Sequence, residues 1–200
     1  MKVVIVTGGF DPLHSGHIAY FKEAKKLGDH LVVGLNSDDW LTRKKGRPFM
    51  PFEERAAIIK ELEVVDEVIG FNDSDDSACS VIGQVLATKG SSWRVIFANG
   101  GDRRMTTTPE YTTYKDNKDV AFAFGVGGEN KVNSSSWILE EWKAPKTKRT
   151  WGYYRVIHEY NKHTKVKELA VPPGGKLSMQ RHQERSEHWF VAEGTATVYT

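Results

Sequence analysis

The residues best suited to chemistry stand together near the N-terminus, in Thr7-Gly8-Gly9-Phe10-Asp11-Pro12-Leu13-His14-Ser15-Gly16-His17. His14 and His17 are three apart, so at the start of a helix they face the same way. A helix N-terminus offers unpaired N–H groups and the positive end of its dipole, a ready site for phosphate. Two imidazoles placed there can hydrogen-bond to a phosphate as charge develops on it. Gly8 and Gly9 let the backbone approach a bulky anion closely, and Gly16 leaves room between the rings. The plain alternative is a pair of surface histidines in a polar turn. The order strand, Gly-Gly, Phe-Asp, helix weighs against it, because a short motif gains its meaning from that context.

The elements that must hold this turn follow from hydrophobic periodicity. Lys2 to Val6 is a β-branched apolar run, hence a buried strand, and Ser15 to Leu27 has helical spacing ending at Gly28-Asp29. His30 to Leu35 is predicted as a second strand, and Pro51 opens a second helix with Ala56, Ile59 and Leu62 on its core face. Further strands are predicted at Glu67–Phe71, Trp93–Ala98 and Val120–Phe124, with helices at Ser80–Ala87 and Ser134–Trp142. Strands separated by helices imply an α/β fold with a Rossmann-like, doubly wound parallel sheet. Ligands of such sheets sit at the carboxyl ends of the strands, where this turn falls.

Taken with the pieces that follow it in order, His14-Ser15-Gly16-His17 resembles the His-x-Gly-His signature of the cytidylyltransferase-like nucleotidyltransferases. These include glycerol-3-phosphate, ethanolamine-phosphate and heptose-phosphate nucleotidylyltransferases. The matching pieces are Asn36-Ser37-Asp38, Arg43 to Pro48 as a Lys-rich loop, Pro51 to Arg55 as an Arg-containing helix, and Val65 to Ile69 as the third strand. Gly100-Gly101-Asp102 and the serine-rich start of the last helix, Asn133-Ser134-Ser135-Ser136, complete the set. The resemblance covers about residues 2–142. It implies in-line attack of a polyol- or sugar-phosphate on the α-phosphorus of CTP or ATP, with Mg²⁺ on the triphosphate and pyrophosphate leaving. His14, His17, Lys44 and Lys45 would then be catalytic, the lysines acting from a mobile loop. Thr7, Gly8, Gly9, Phe10, Asp11, Gly16, Gly101, Asp102, Arg103, Ser134, Ser135 and Ser136 would bind nucleotide. The family's Arg-Thr-Glu-Gly is replaced by Gly127-Gly128-Glu129-Asn130-Lys131, with Lys131 standing in for the arginine. Gly46-Arg47-Pro48 and the proline after it resemble the heptose-phosphate adenylyltransferases more than the polyol enzymes.

The charge changes along the chain. Residues 1–142 hold 17 Lys+Arg and 21 Asp+Glu, whereas residues 143–200 hold 11 and 5. The shift falls in the polar run 143–150, predicted as a linker. Beyond it, short strands are predicted at Trp151–Glu159, Thr164–Val171, Lys176–Gln180, His188–Ala192 and Thr195–Tyr199, forming a small all-β barrel or sandwich. This stretch resembles the cupin domain of type II mannose-6-phosphate isomerases, through Thr150 to Tyr154, Pro173-Gly174, Arg185 to Trp189 and Gly194 to Ala196. On that resemblance Gln180, His182 and Glu187 take metal positions. A full cupin set needs a second motif, so this is a partial cupin and Zn²⁺ binding is expected to be weak or absent.

The 200 residues carry 39% hydrophobic and 27% charged residues, a net charge of +2 and one cysteine, Cys79. That excludes an internal disulfide framework and a multi-cysteine zinc site, and no run is long enough for a membrane-spanning helix. The basic residues of the second half are scattered rather than striped, which argues against nucleic acid. The expectation is a cytoplasmic, homo-oligomeric nucleotidyltransferase. Its rivals are a bifunctional isomerase and nucleotidyltransferase, and a nucleotide-binding protein without turnover.

Overall fold

The computed structural model describes residues 1–90, 92–101, 103–128, 133–161, 163–180, 182–184 and 186–198. It divides into two compact units, Met1–Trp142 and Lys143–Thr200.

The first unit is a five-stranded parallel sheet of order β3-β2-β1-β4-β5. Its strands are β1 (Lys2–Gly8), β2 (His30–Leu35), β3 (Glu67–Gly70), β4 (Arg94–Gly100) and β5 (Val120–Val126). Between them run α1 (Ser15–Lys25), α2 (Asp38–Lys45), α3 (Phe52–Lys60), α4 (Cys79–Lys89) and α5 (Pro109–Tyr114), and α6 (Ser135–Lys143) follows β5. β1 is apolar on both faces because both are covered. Val3 and Ile5 pack with Val81, Ile82 and Val85 of α4, while Val4 and Val6 pack with Phe21 and Ala24 of α1 and Ile59 of α3. Each such side chain stabilises the fold by about 1.5–3 kcal/mol. The sheet order reverses at β1, since β2 lies on one side and β4 on the other. That reversal opens a crevice at the carboxyl ends of the strands.

Helix α2 departs from the sequence expectation. Arg43 to Lys45 form the last turn of α2 rather than a loop. The Ser37 hydroxyl caps this helix by accepting the Trp40 N–H at 3.0 Å, and Gly46 closes it at φ +85°. Asp38 and Asp39 in the first turn and three cations in the last complement the helix dipole.

The second unit is an antiparallel sheet of order β6-β7-β8, formed by β6 (Thr147–Arg149), β7 (Gly152–Asn161) and β8 (Thr164–Ala170). Gly152 has φ +135°, and a Cβ there would lie 2.0 Å from the Ala170 carbonyl oxygen, so only glycine fits. Arg155 and Glu168 face each other across β7 and β8 with N and O 2.8 Å apart. Two corrections follow. Thr147–Arg149 belongs to this sheet rather than to a linker. The strands predicted at 176–180, 188–192 and 195–199 do not form among the described residues, and neither a barrel nor a sandwich closes. A strand holds only where a neighbour takes its backbone N–H and C=O groups, and this sheet does not extend to those segments.

Candidate active site

The turn after β1 places its two imidazoles by using them as helix caps. His14 takes the N-cap position of α1, where Ser, Thr, Asp or Asn is usual. Its Nδ1 accepts the Gly16 N–H at 3.2 Å, and the His14 N–H donates to His17 Nδ1 at 3.3 Å. The rings stack with centroids 3.7 Å apart, and Phe10 meets the His17 ring edge-on at 4.9 Å. A Cβ on Gly16 would lie 3.0 Å from His14 Cε1, so the glycine makes space for the ring. A neutral imidazole that accepts at Nδ1 carries its proton on Nε2. Both rings therefore keep an Nε2–H donor.

His17 is held neutral. Burial pulls its pKa down to about 3, helped by the neighbouring His14 and by Lys45. This makes stability pH-dependent in a definite direction. The folded pKa lies below the value of about 6.5 expected of an unfolded histidine, so the unfolded chain binds the proton first. His17 thus favours the fold above about pH 6.5, and that contribution is lost as pH falls toward 3. In urea titrations at successive pH values, His17→Asn should flatten the acid slope by about one proton. An unchanged slope would contradict the assignment.

The N-terminus of α6 meets the same turn. Ser135 Oγ donates to the Pro12 carbonyl at 2.9 Å, and the Ser134 carbonyl accepts the Ile138 N–H. Ser134 and Ser135 are buried, whereas Ser136 is exposed. Two helix N-termini, of α1 and α6, are thereby fastened to one loop, an arrangement that suits an extended polyphosphate.

The remaining expected site residues divide between facing a ligand and building the frame. Both carboxylate oxygens of Asp11 accept backbone N–H groups, from Phe49 and Met50 at 2.8 Å each. Phe10 is buried in the core, against Phe21. A Cβ on Gly9 would press on Leu41 at 2.7 Å. Lys45 Nζ donates to the Asp11 carbonyl at 2.9 Å, and its pKa is lowered, chiefly by burial. Lys44 Nζ lies 4.3 Å over the Trp40 ring. These lysines were expected on a mobile loop; α2 instead fixes their backbone at its carboxyl end. Gly101, at φ +67°, and Arg103 follow β4. Asp102 and Lys131 lie outside the described residues.

Three buried residues build the frame; the sequence reading named Arg55 only as part of the Arg-containing helix and missed the roles of Asp73 and Glu110. Buried Arg55 donates to the carbonyls of Met50, Gly9 and Asn36 at 2.8–3.0 Å and pairs with Asp38 at 2.6 Å. Its signal was available, because it falls on the α3 face that carries Phe52 and Ile59. Asp73 accepts from the Ser37 N–H and O–H and from Asn36 Nδ2 at 2.7–3.0 Å. Burial alone would raise its pKa, but those donors and Arg43 hold it low. Glu110 of α5 is buried too, in a segment whose polarity masked it. On the β1 side of α4 and α5 a cleft of about 230 Å³ opens, lined by Thr7, Asn36, Trp40, Ser77, Arg103 and Glu110 among others.

In the second unit, Gln180, His182 and Glu187 are exposed, and His182 Nε2 stands 3.5 Å from Glu187 Oε1. One imidazole, one carboxylate and one amide fall short of the four ligands of a structural zinc site. Among the described residues no three His, Cys, Asp or Glu side chains gather as metal ligands.

The first crossover of the doubly wound sheet thus carries the paired imidazoles. The cytidylyltransferase-like family model matches residues 5–141, and the chain belongs to that family. The model described as mannose-6-phosphate isomerase C-terminal matches residues 140–200. The bifunctional protein HldE of Erwinia tasmaniensis is 42% identical over 112 residues, covering 50% of this chain and 23% of the relative. That of Haemophilus influenzae is 40% identical over 114 residues, 50% and 24% of the two chains. The chain thus spans about a quarter of the length of these relatives. The crystal structure of NadR in complex with NR shares the fold, with a TM-score of 0.51 and 19% identity over 70% of this chain and 42% of that one. No described helix is long and apolar enough to cross a membrane.

Proposed function

We propose that residues 1–142 form a domain that transfers a nucleoside monophosphate from a nucleoside triphosphate to a polyol- or sugar-phosphate. The observation that carries this reading is the pair of stacked imidazoles whose Nδ1 atoms are both occupied by backbone N–H groups. An oxygen of the acceptor phosphate attacks the α-phosphorus, the new O–P bond forms, and the bond to the β-phosphate oxygen breaks to release pyrophosphate. The Nε2–H groups of His14 and His17 donate to the α-phosphoryl oxygens, where negative charge accumulates. The N-termini of α1 and α6 hold the triphosphate, and Lys44 and Lys45 offset its charge from the end of α2. Mg²⁺ enters as part of the nucleotide substrate, on its phosphate oxygens. Work of this kind is positioning and charge stabilisation, with no covalent intermediate.

The Gly46-Arg47-Pro48 resemblance to heptose-phosphate adenylyltransferases favours ATP over CTP and a sugar phosphate over a small polyol phosphate. Exposed apolar side chains in the second unit, Met179, Trp189 and Phe190 among them, support self-association as a homo-oligomer. The deciding experiment incubates the protein and Mg²⁺ with ATP or CTP and a panel of sugar and polyol phosphates, measuring pyrophosphate. Release with ATP and a sugar phosphate is expected. No release above the rate without acceptor, for any pair, would sink the proposal.

A further inference from the structure

Helix α2 ends in three consecutive cations, and each is held at a different place. Arg43 Nη2 donates to the Asp73 carbonyl at 2.6 Å and stands 3.2 Å from the Asp76 carboxylate. Lys45 Nζ donates to the Asp11 carbonyl, in the histidine turn. Between them in sequence, Lys44 Nζ lies 4.3 Å from the centroid of the Trp40 indole. Successive residues of a helix point about 100° apart, so neighbours are carried to different surroundings, whereas residues four apart stand on one face. Trp40 and Lys44 are such a pair, and their contact is a cation–π interaction.

Trp40 is itself fixed from two sides. Its N–H is the one that the Ser37 hydroxyl accepts, in the first turn of α2. Its ring lies beside the histidine turn, since a Cβ on Gly9 would stand 3.5 Å from Trp40 Cζ3. The indole also lines the cleft shared with Thr7, Asn36 and Arg103. One half-buried side chain thus borders the turn, lines the cleft and carries an ammonium. Without it, Lys44 would be a lysine at an exposed helix end, spread over many rotamers and losing that freedom whenever it bound an anion. An aromatic face removes part of that loss beforehand, and unlike a carboxylate it attracts the charge without neutralising it. Two acidic side chains, Asp76 and Glu110, line the same cleft. Arg43 offsets Asp76, and a phosphate entering beside Glu110 needs a further cation, which the indole keeps at hand.

We infer that Trp40 is a positioning residue for phosphate binding: its indole face holds the Lys44 ammonium at the wall of the cleft, in place for the phosphates of the nucleotide. This rests on the reading of the chain as a nucleotidyltransferase and adds to it the means by which one lysine of α2 is ordered before the substrate arrives. Binding gains from such ordering because less freedom is lost at the moment of contact.

The test is a double-mutant cycle on nucleotide binding, measured by calorimetry with MgATP and MgCTP and read for whichever binds the parent protein tighter. Lys44→Met should weaken binding about tenfold, the loss of one charge-assisted contact. Trp40→Leu should weaken it about three- to fivefold, the worth of an exposed cation–π contact. The double variant should bind within about twofold of Lys44→Met alone, because Trp40 acts through Lys44. Trp40→Phe loses the same contact with Gly9 but keeps an aromatic face, and should bind within about twofold of the parent. Should Trp40→Leu fail to fold, as its melting curve would show, Trp40→Met takes its place with the same expected values. An indole that only packs the turn would give equal losses with and without Lys44. The inference is overturned by such additive losses, by Trp40→Phe binding as weakly as Trp40→Leu, or by Lys44→Met without effect. Failure of the parent to bind either nucleotide would overturn the transfer reading and this inference with it. Tight binding and an intact cycle without pyrophosphate release would count against the transfer reading alone.

Discussion

Replacing either His14 or His17 by alanine should, on the proposed transfer, lower turnover about a hundredfold or more, the scale of removing one preorganised donor from a developing oxyanion. Both rings donate through Nε2–H because Nδ1 is engaged by a backbone N–H in each. Alanine removes that donor and a helix cap together, and a lost cap alone costs only about 1 kcal/mol. Stability should therefore fall far less than turnover, and the KM of the nucleotide should move less than kcat, since the interaction strengthens in the transition state. His17→Asn separates the two roles further, because an amide oxygen can cap the helix while its N–H₂ no longer sits where the imidazole Nε2–H did. Steady-state pyrophosphate release, with melting curves of the same samples, checks this. Turnover within threefold of the parent in both alanine variants would remove the histidines from the mechanism.

The histidine turn was legible because its chemistry is local. Residue type, a spacing of three and the change from strand to helix all lie within eleven residues, and the structure adds only which nitrogen holds the proton. The parallel sheet was legible for a similar reason: strands such as Leu31 to Leu35 are buried on both faces and read as continuous apolar runs. Helix α2 was not, because its mean composition is polar and its basic end reads as a loop; only the Ser37 cap, the acidic first turn and Gly46 mark it. Asp73 and Glu110 were hidden for a different reason. Their partners, such as Ser37 and Ala78, lie 36 and 32 residues away. No spacing rule encodes a buried charge satisfied by distant backbone. In the second unit the alternation of β7 and β8 was readable, but the later segments carry the same alternation without a neighbouring strand to pair with.

Arg55→Ala should be the most destabilising single change in the first unit. The side chain is 1% exposed and ties three carbonyls that belong to separate parts of the site. Gly9 lies in the histidine turn, Asn36 directly follows β2, and Met50 lies in the loop that Asp11 grips from the other side through its N–H. Truncation leaves these carbonyls without their donor and Asp38 without its cation. Asp38 is half-exposed and stays solvated, but carbonyls left unmet in the interior cost about 1–3 kcal/mol each, together a large part of the ~5–15 kcal/mol that holds a domain folded. Arg55→Lys should recover little, because an ammonium is a point charge with three donors and cannot reproduce the planar fork that reaches Gly9, Asn36 and Asp38 at once. In urea unfolding the alanine variant should lose about 2 M of midpoint, and the fraction that stays folded should turn over slowly, since the backbone around Gly9 positions His14. A midpoint within about 0.3 M of the parent would show that the carbonyls find other donors. Arg55 would then be a passenger in the core rather than the residue that fastens the turn, the end of β2 and the 46–51 loop into one frame.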